Sequence, residues 1–142
     1  MQFNVDELIH DLRSPAEATR RTAAQRLALM RNPVAIDALV TALSDQSTPV
    51  TMAAVHALAQ IGAEAIPAVT ERLLDDDDSS VRYAATMVFS EMRHADAVPV
   101  LVDALRDTSE DVQSGAALAL ENIGTSEALA EVLTWRKKHS RN

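Results

Sequence analysis

The chain has 142 residues, 47% of them apolar, with 21 acids against 13 bases and a net charge of −8. That length makes one domain with a shared core. The acidic balance argues against nonspecific nucleic-acid binding, which needs a cationic surface, and equally against an anionic membrane. Cysteine is absent, which excludes disulfides, thiolate metal sites and a cysteine nucleophile and fits a reducing compartment. Aromatics are only 3% and alanine is abundant, so the core suits stacked helices better than a sheet.

Residues 1–12 read as one helix. Val5, Leu8, Ile9 and Leu12 share a face, and Asn4 with Glu7 makes a capping pair. Residues 1–11 carry acids and no basic or long apolar run, so no secretory signal is expected here. A helical pair follows over 14–43. Ser14-Pro15 supplies a cap and a first-turn proline, and Glu17 completes a capping box. Thr19, Thr22, Ala23, Leu27 and Met30 follow at helical spacing, and then Ile36, Leu39, Val40 and Leu43 form the face of the second helix. That second face stands 31 residues after Val5, Leu8, Ile9 and Leu12, so 1–12 is an orphan second helix, a half-repeat closing one end of a stack.

The same 31-residue period marks the rest. Val50, Val81 and Val112 open three equivalent first helices within pairs over 44–74, 75–105 and 106–138. Three and four residues on come Ala53 and Ala54, Ala84 and Ala85, Gly115 and Ala116; eight on come Leu58, Phe89 and Leu120. Caps are offered by Thr48-Pro49, Asp78, Ser79, Thr108 and Ser109. Gly62 and Gly124 sit where a helix should stop, whereas Arg31 and Arg93 hold that place in the other two pairs. Ile66, Val69, Thr70 and Leu73 run one residue early, which implies a shorter turn and a longer exit. Val98, Leu101, Val102 and Leu105 keep phase, and Leu129, Val132 and Leu133 begin the last copy. Residues 139–142 form a tail after the basic Trp135-Arg136-Lys137-Lys138. The most apolar stretch, 53–69, is broken by His56, Gln60 and Glu64, so no membrane span is expected. The expectation is nine helices, paired antiparallel through short loops.

The stretch from Val50 through Ala53-Ala54 and Ala57-Leu58 to Ile61-Gly62, with Ala97-Val98-Pro99-Val100-Leu101-Val102-Asp103-Ala104-Leu105 as its second half, resembles the HEAT-like repeat of the phycobilin-lyase type. Val81-Arg82 carries that repeat's arginine, from which Thr51 and Gln113 depart. Asp45, Asp76 and Asp107, five residues before each valine, match its acidic inter-unit turn. The resemblance runs from about Asn4 to Lys138 and implies an all-α, right-handed α-α superhelix. It implies little about the task, because such repeats serve in scaffolds, chromophore lyases and chaperones, a hydroxylase and DNA-repair enzymes. It also implies that the second helices line a concave, partner-gripping face. The outward positions there are Asp6, Glu7 and His10; Asp37, Ala38 and Thr41; Pro67, Ala68 and Glu71; Pro99, Val100 and Asp103; and Ala130, Glu131 and Thr134. Asp6, His10, Asp37, Thr41, Glu71, Asp103, Glu131 and Thr134 are the candidate protein-binding residues. They form an acidic stripe that is either merely solvated or a groove for a basic or mixed protein surface.

No catalytic constellation rides on the repeat. His10, His56, His94 and His139 lack a following Glu and a second His one turn away, so no metal or cofactor is expected. The run Asp75-Asp76-Asp77-Asp78 lacks the glycine bend and closing Glu of a calcium loop; it reads as an exposed turn that caps the next helix, with weak cation binding as the alternative. Arg13, Arg20, Arg21, Arg26 and Arg31 make the first pair locally basic. Arg20 and Arg21 are expected to be exposed, and Arg26, on an inward position, to reach an acid or solvent. Met52, Tyr83, Met87 and Leu118 are expected to be half-buried between units or to form a second contact patch. Trp135 is expected to seal the last layer. Serines fall at caps and turns, away from any base. The reading is a monomeric, cytoplasmic, non-catalytic protein-binding module. The alternative, carried by the resemblance alone, is a phycobilin lyase-like subunit or chromophore chaperone acting on phycobiliproteins.

Overall fold

The computed structural model describes residues 3–140; Met1 and Gln2 of the expected half-repeat, and Arg141 and Asn142 of the expected tail, lie outside the described residues. Among the described residues there are nine α-helices and no strand. These are α1 (Val5–Asp11), α2 (Glu17–Met30), α3 (Ile36–Ala42), α4 (Thr48–Ile61), α5 (Ile66–Asp75), α6 (Ser79–Met92), α7 (Val98–Ala104), α8 (Glu110–Ile123) and α9 (Ser126–His139). Short 3-10 turns, Pro33–Ala35, Ala63–Ala65 and Ala95–Ala97, lead into α3, α5 and α7.

The period fixes the register of the stack. The first helices of the four pairs, α2, α4, α6 and α8, are each 14 residues long and begin 31 residues apart. They lie side by side as one layer, and α3, α5, α7 and α9 form the other. At one unit position Leu27, Leu58, Phe89 and Leu120 are fully buried, and at another Ala23, Ala54, Ala85 and Ala116 let neighbouring helices approach. Leu39, Leu73 and Leu101 complete a single core from the second helices. Burying a leucine contributes about 1.5–3 kcal/mol, so the repeated positions dominate the fold's stability.

Helix ends follow local chemistry with two kinds of departure, at starts and at stops; at α4 the cap is Ser47 rather than the expected Thr48, which is the first helical residue. Asn4, Asn32, Ser47, Asp78, Ser109 and Thr125 accept amide hydrogen bonds at helix or turn starts. Helix α2 instead begins after Ala16, with no side-chain cap. Ser14 Oγ accepts from the Ala16 amide at 3.1 Å, which turns the chain before the helix, and Glu17, expected in a capping box, accepts from the Ser47 hydroxyl at 2.8 Å. The second departure is at the helix stops. Arg31 and Arg93 adopt left-handed φ values of 52° and 57°, where the other two pairs place Gly62 and Gly124. A left-handed L-residue costs roughly 1–2 kcal/mol. The tight return imposes it, and each arginine amide still reaches the carbonyl of the buried residue four back, Leu27 or Phe89.

In the second pair Gly62 runs directly into the 3-10 turn, whereas Arg31 and Asn32 both precede the equivalent turn. Helix α5 then continues for 10 residues against 7 in α3 and α7, which restores the 31-residue step. This places the acidic run at the foot of α5.

Three expectations change at particular side chains. Leu129 and Leu133, expected in the core, are 48% and 56% exposed, because no described layer covers the outer side of α9; Val132 is buried. Val100, expected outward, is buried, because α7 has second helices on both sides. Arg26, expected to reach an acid or solvent, is half-buried and makes no ion pair among the described residues: its guanidinium lies 4.0 Å from the centroid of the Phe3 ring, a cation–π contact at the end of the stack.

Candidate functional site

The turns between units are built around one acid each. Asp45, Asp76 and Asp107 accept from the amide two residues on, that of Ser47, Asp78 or Ser109. The residue after each unit's opening position donates back across the turn to the carbonyl six residues before it. Arg20 reaches Ser14, Thr51 reaches Asp45, Arg82 reaches Asp76 and Gln113 reaches Asp107. The two arginines also fork onto the acid of the following turn. Arg20 holds Asp45 at 2.8 and 3.2 Å, and Arg82 holds Asp107 at 3.0 and 3.0 Å. Arg20 is therefore shielded, with 18% of its side chain exposed, contrary to the expected free surface position; Arg21 is exposed.

Partial burial pushes the Asp45 and Asp107 carboxyls up. The arginine hydrogen bonds, the amides of Ser47 and Ser109 and the arginine charges outweigh it and hold both acids below their ordinary range. The carboxylate hydrogen bonds likewise hold the Arg20 and Arg82 guanidiniums above theirs.

Beside these turns the second helices leave a hollow of about 540 Å³. Helix α3 contributes Asp37 and Thr41, one turn apart, and Val40; α5 contributes Ala68, Glu71, Arg72 and Asp75; the exit turn adds Asp76, Asp77 and Asp78. Asp76 is committed to Arg72 at 3.2 Å and Asp78 caps α6. Asp37, Glu71, Asp75 and Asp77 are exposed and make no ion pair among the described residues. A second hollow of about 400 Å³ adjoins the first through Asp37 and Thr41 and extends toward α1 over Ile9, Leu12 and Ala38. A third, of about 250 Å³, lies at the far end between Gln113, Glu131, Thr134, Trp135 and Lys138.

Of the residues singled out in the sequence, Asp37, Thr41 and Glu71 thus share one hollow, and Glu131 and Thr134 share another. Asp6, His10 and Asp103 are exposed and line none of the three. The acidic run at 75–78, read in the sequence as a separate turn, stands in the same hollow as Asp37 and Glu71. The early phase of α5 was the signal that could have joined them. Trp135 is half-buried, donates to Gln113 Oε1 at 3.3 Å and stacks on His139 with ring centroids 4.6 Å apart.

On the opposite face Met52, Tyr83 and Leu118 are 42%, 40% and 55% exposed around a hollow of about 280 Å³. His56 pairs with Glu91 at 2.8 Å, and His94 Nδ1 accepts from the Asp96 amide at 3.1 Å. Among the described residues no three His, Asp or Glu side chains are arranged to hold a metal ion. No single described helix is long and apolar enough to cross a membrane; α4 and α5 together reach that length but are bent by 116°.

A profile described as HEAT repeats matches residues 5–90 and 66–141. The chain belongs to the HEAT-repeat family. Among solved structures, this HEAT-repeat chain is similar to the complex of CpcE and CpcF of phycocyanin lyase from Nostoc sp. PCC7120. The TM-score is 0.60 at 22% identity, over 100% of this chain and 67% of that one. An engineered protein matches with TM-score 0.55 and 26% identity, over 95% of this chain and 70% of its own. A designed armadillo repeat protein matches with TM-score 0.51 and 25% identity, over 94% and 71%. No curated protein matches the chain in sequence.

Proposed function

We propose that this HEAT-repeat chain is a non-catalytic binding module whose second-helix face takes a basic or mixed segment of a protein partner. The observation that carries the reading is the composition of the hollow between α3 and α5, where Asp37, Glu71, Asp75 and Asp77 stand exposed around a floor of Val40 and Ala68. Four carboxylates without internal partners attract a cationic segment, while the small apolar floor accepts its aliphatic stems. The stack is already ordered, so little conformational entropy is lost on the module's side.

Fluorescence anisotropy with a labelled peptide alternating Lys, Leu and Arg is the direct test. Binding should weaken steeply with salt, and Asp37→Lys combined with Glu71→Lys should reduce affinity at least tenfold without altering the melting curve. Equal binding of an acidic control peptide, or an unchanged affinity in the charge-reversed variant, would refute the groove. A phycobilin lyase-like or chromophore-chaperone role, motivated by the fold shared with the CpcE–CpcF complex, makes a different prediction. It requires a new visible absorbance band on mixing the chain with a bilin and an apo-phycobiliprotein, whereas the groove reading requires none.

A further inference from the structure

We propose that the joint between the second and third helical pairs, the seam of α4 against α6, is the place where the stack flexes and first parts, so that the pairs on either side behave as two stiff halves.

The joints are not tied equally. Between the first and second pairs run the Arg20–Asp45 fork, a Ser47–Glu17 bond at 2.8 Å and an Arg31–Gln60 bond at 2.8 Å. Between the third and fourth run the Arg82–Asp107 fork and a bond from Asn122 to Ser90 Oγ at 2.6 Å. At the middle joint the forking position is Thr51, whose hydroxyl reaches only the Asp45 carbonyl of its own turn at 3.1 Å. The acid that an arginine there would hold, Asp76, is taken instead by Arg72, four residues before it. Among the described residues the one side-chain bond between α4 and α6 is His56 to Glu91, and those side chains are 55% and 43% exposed, so solvent and salt weaken it.

Packing differs in kind: α4 and α6 come together less closely than α2 and α4 or α6 and α8, whereas α5 packs on α6 as fully as α3 on α4 or α7 on α8. At the α6–α8 joint Gly115 lets the helices close until a β-carbon would overlap the Thr86 hydroxyl. In a linear stack each interface contributes its own coupling, and the weakest one sets where cooperativity breaks. The hollow between α3 and α5 lies within the leading half and meets the third pair only through the turn that ends in Asp78, the cap of α6.

Amide hydrogen exchange of the full chain at rising urea, read peptide by peptide, tests the proposal. Leaving aside fraying of α1 and α9, peptides of α2–α5 should share one urea dependence and peptides of α6–α8 another, separated by at least tenfold in exchange rate. Thr51→Arg supplies the missing fork and should bring the two groups together; Thr51→Val, which removes only the local bond, should leave them apart. A single isotherm for all four pairs, or a split falling at another joint, would overturn the proposal. So would a folded Thr51→Arg variant whose two groups stay as far apart as in the parent.

Discussion

Replacing Gly115 by alanine adds one methyl group where α8 packs closely on α6. An ideal β-carbon there would overlap Thr86 Oγ1 and sit 3.2 Å from both Thr86 Cβ and Tyr83 Cδ1. Thr86 cannot turn aside freely. It is fully buried, and its hydroxyl donates to the Tyr83 carbonyl at 2.6 Å. Overpacking of this kind costs about 1–3 kcal/mol. Alanine in place of glycine within a helix returns about 1 kcal/mol, so Gly115→Ala should lose a net 1 kcal/mol or so. The same change made in a Thr86→Ala background meets no hydroxyl, only the 3.2 Å contacts with the β-carbon at 86 and with Tyr83 Cδ1, against the helix-propensity gain of about 1 kcal/mol. The loss should therefore shrink or reverse in that background. Urea melts followed by circular dichroism resolve such a difference, since 1 kcal/mol moves the midpoint by about 0.5 M at a slope near 2 kcal/mol/M. A Gly115→Ala variant that is stabilised equally with and without Thr86 would refute the claim that the missing methyl group sets the α6–α8 distance.

Three further outcomes are expected. Leu58→Ala, at a fully buried position, should cost about 2–5 kcal/mol in the same melts; a loss near zero would take Leu58 out of the core. Arg93→Gly should leave the fold intact and raise stability by about 0.5–1 kcal/mol, because it removes a side chain from a φ of 57°; a clear loss would mean the arginine side chain holds the turn. Asp45 and Asp107 titrate below the ordinary 3.8 when folded, so the unfolded chain takes up protons first as pH falls. Their contribution is complete above that value and is lost as pH drops toward the lowered one. Asp45→Asn with Asp107→Asn should therefore flatten the acid limb of the stability curve, and an acid limb of unchanged slope would contradict it.

The architecture could be read in the sequence because one spacing repeats. Val50, Val81 and Val112 occupy equivalent buried positions, and Leu58, Phe89 and Leu120 follow them into the core. The phase shift at Ile66 announced the longer α5. What periodicity could not supply was the reach of long side chains. Arg20 stands on an outer helix face by spacing, yet it extends to an acid 25 residues away and becomes shielded. Arg26 found Phe3, which lies before the first helix. The stops at Arg31 and Arg93 could be placed by register but not by residue type, which favours glycine there, while the tertiary return decides the backbone. The candidate site was legible in part. Asp37, Thr41 and Glu71 came from helix phase, whereas the contribution of residues 75–78 required knowing that the exit of α5 bends back over the same hollow.

The exact recurrence of the turn acids gives the chain a natural splice point. Placing a second copy of residues 77–107 directly after Asp107 would repeat the arginine–acid fork at the new joint, with Ala84 and Glu91 of the copy standing where Gly115 and Asn122 now meet Thr86 and Ser90. Each Arg82 would meet the Asp107 that closes its own segment, as the existing pair does, and Asp107 could accept from the amide of the duplicated Asp78 as Asp76 does now. The array can therefore be grown by inserting whole 31-residue cassettes, each carrying its own fastener, whereas a cassette one residue longer or shorter would detach every layer beyond it.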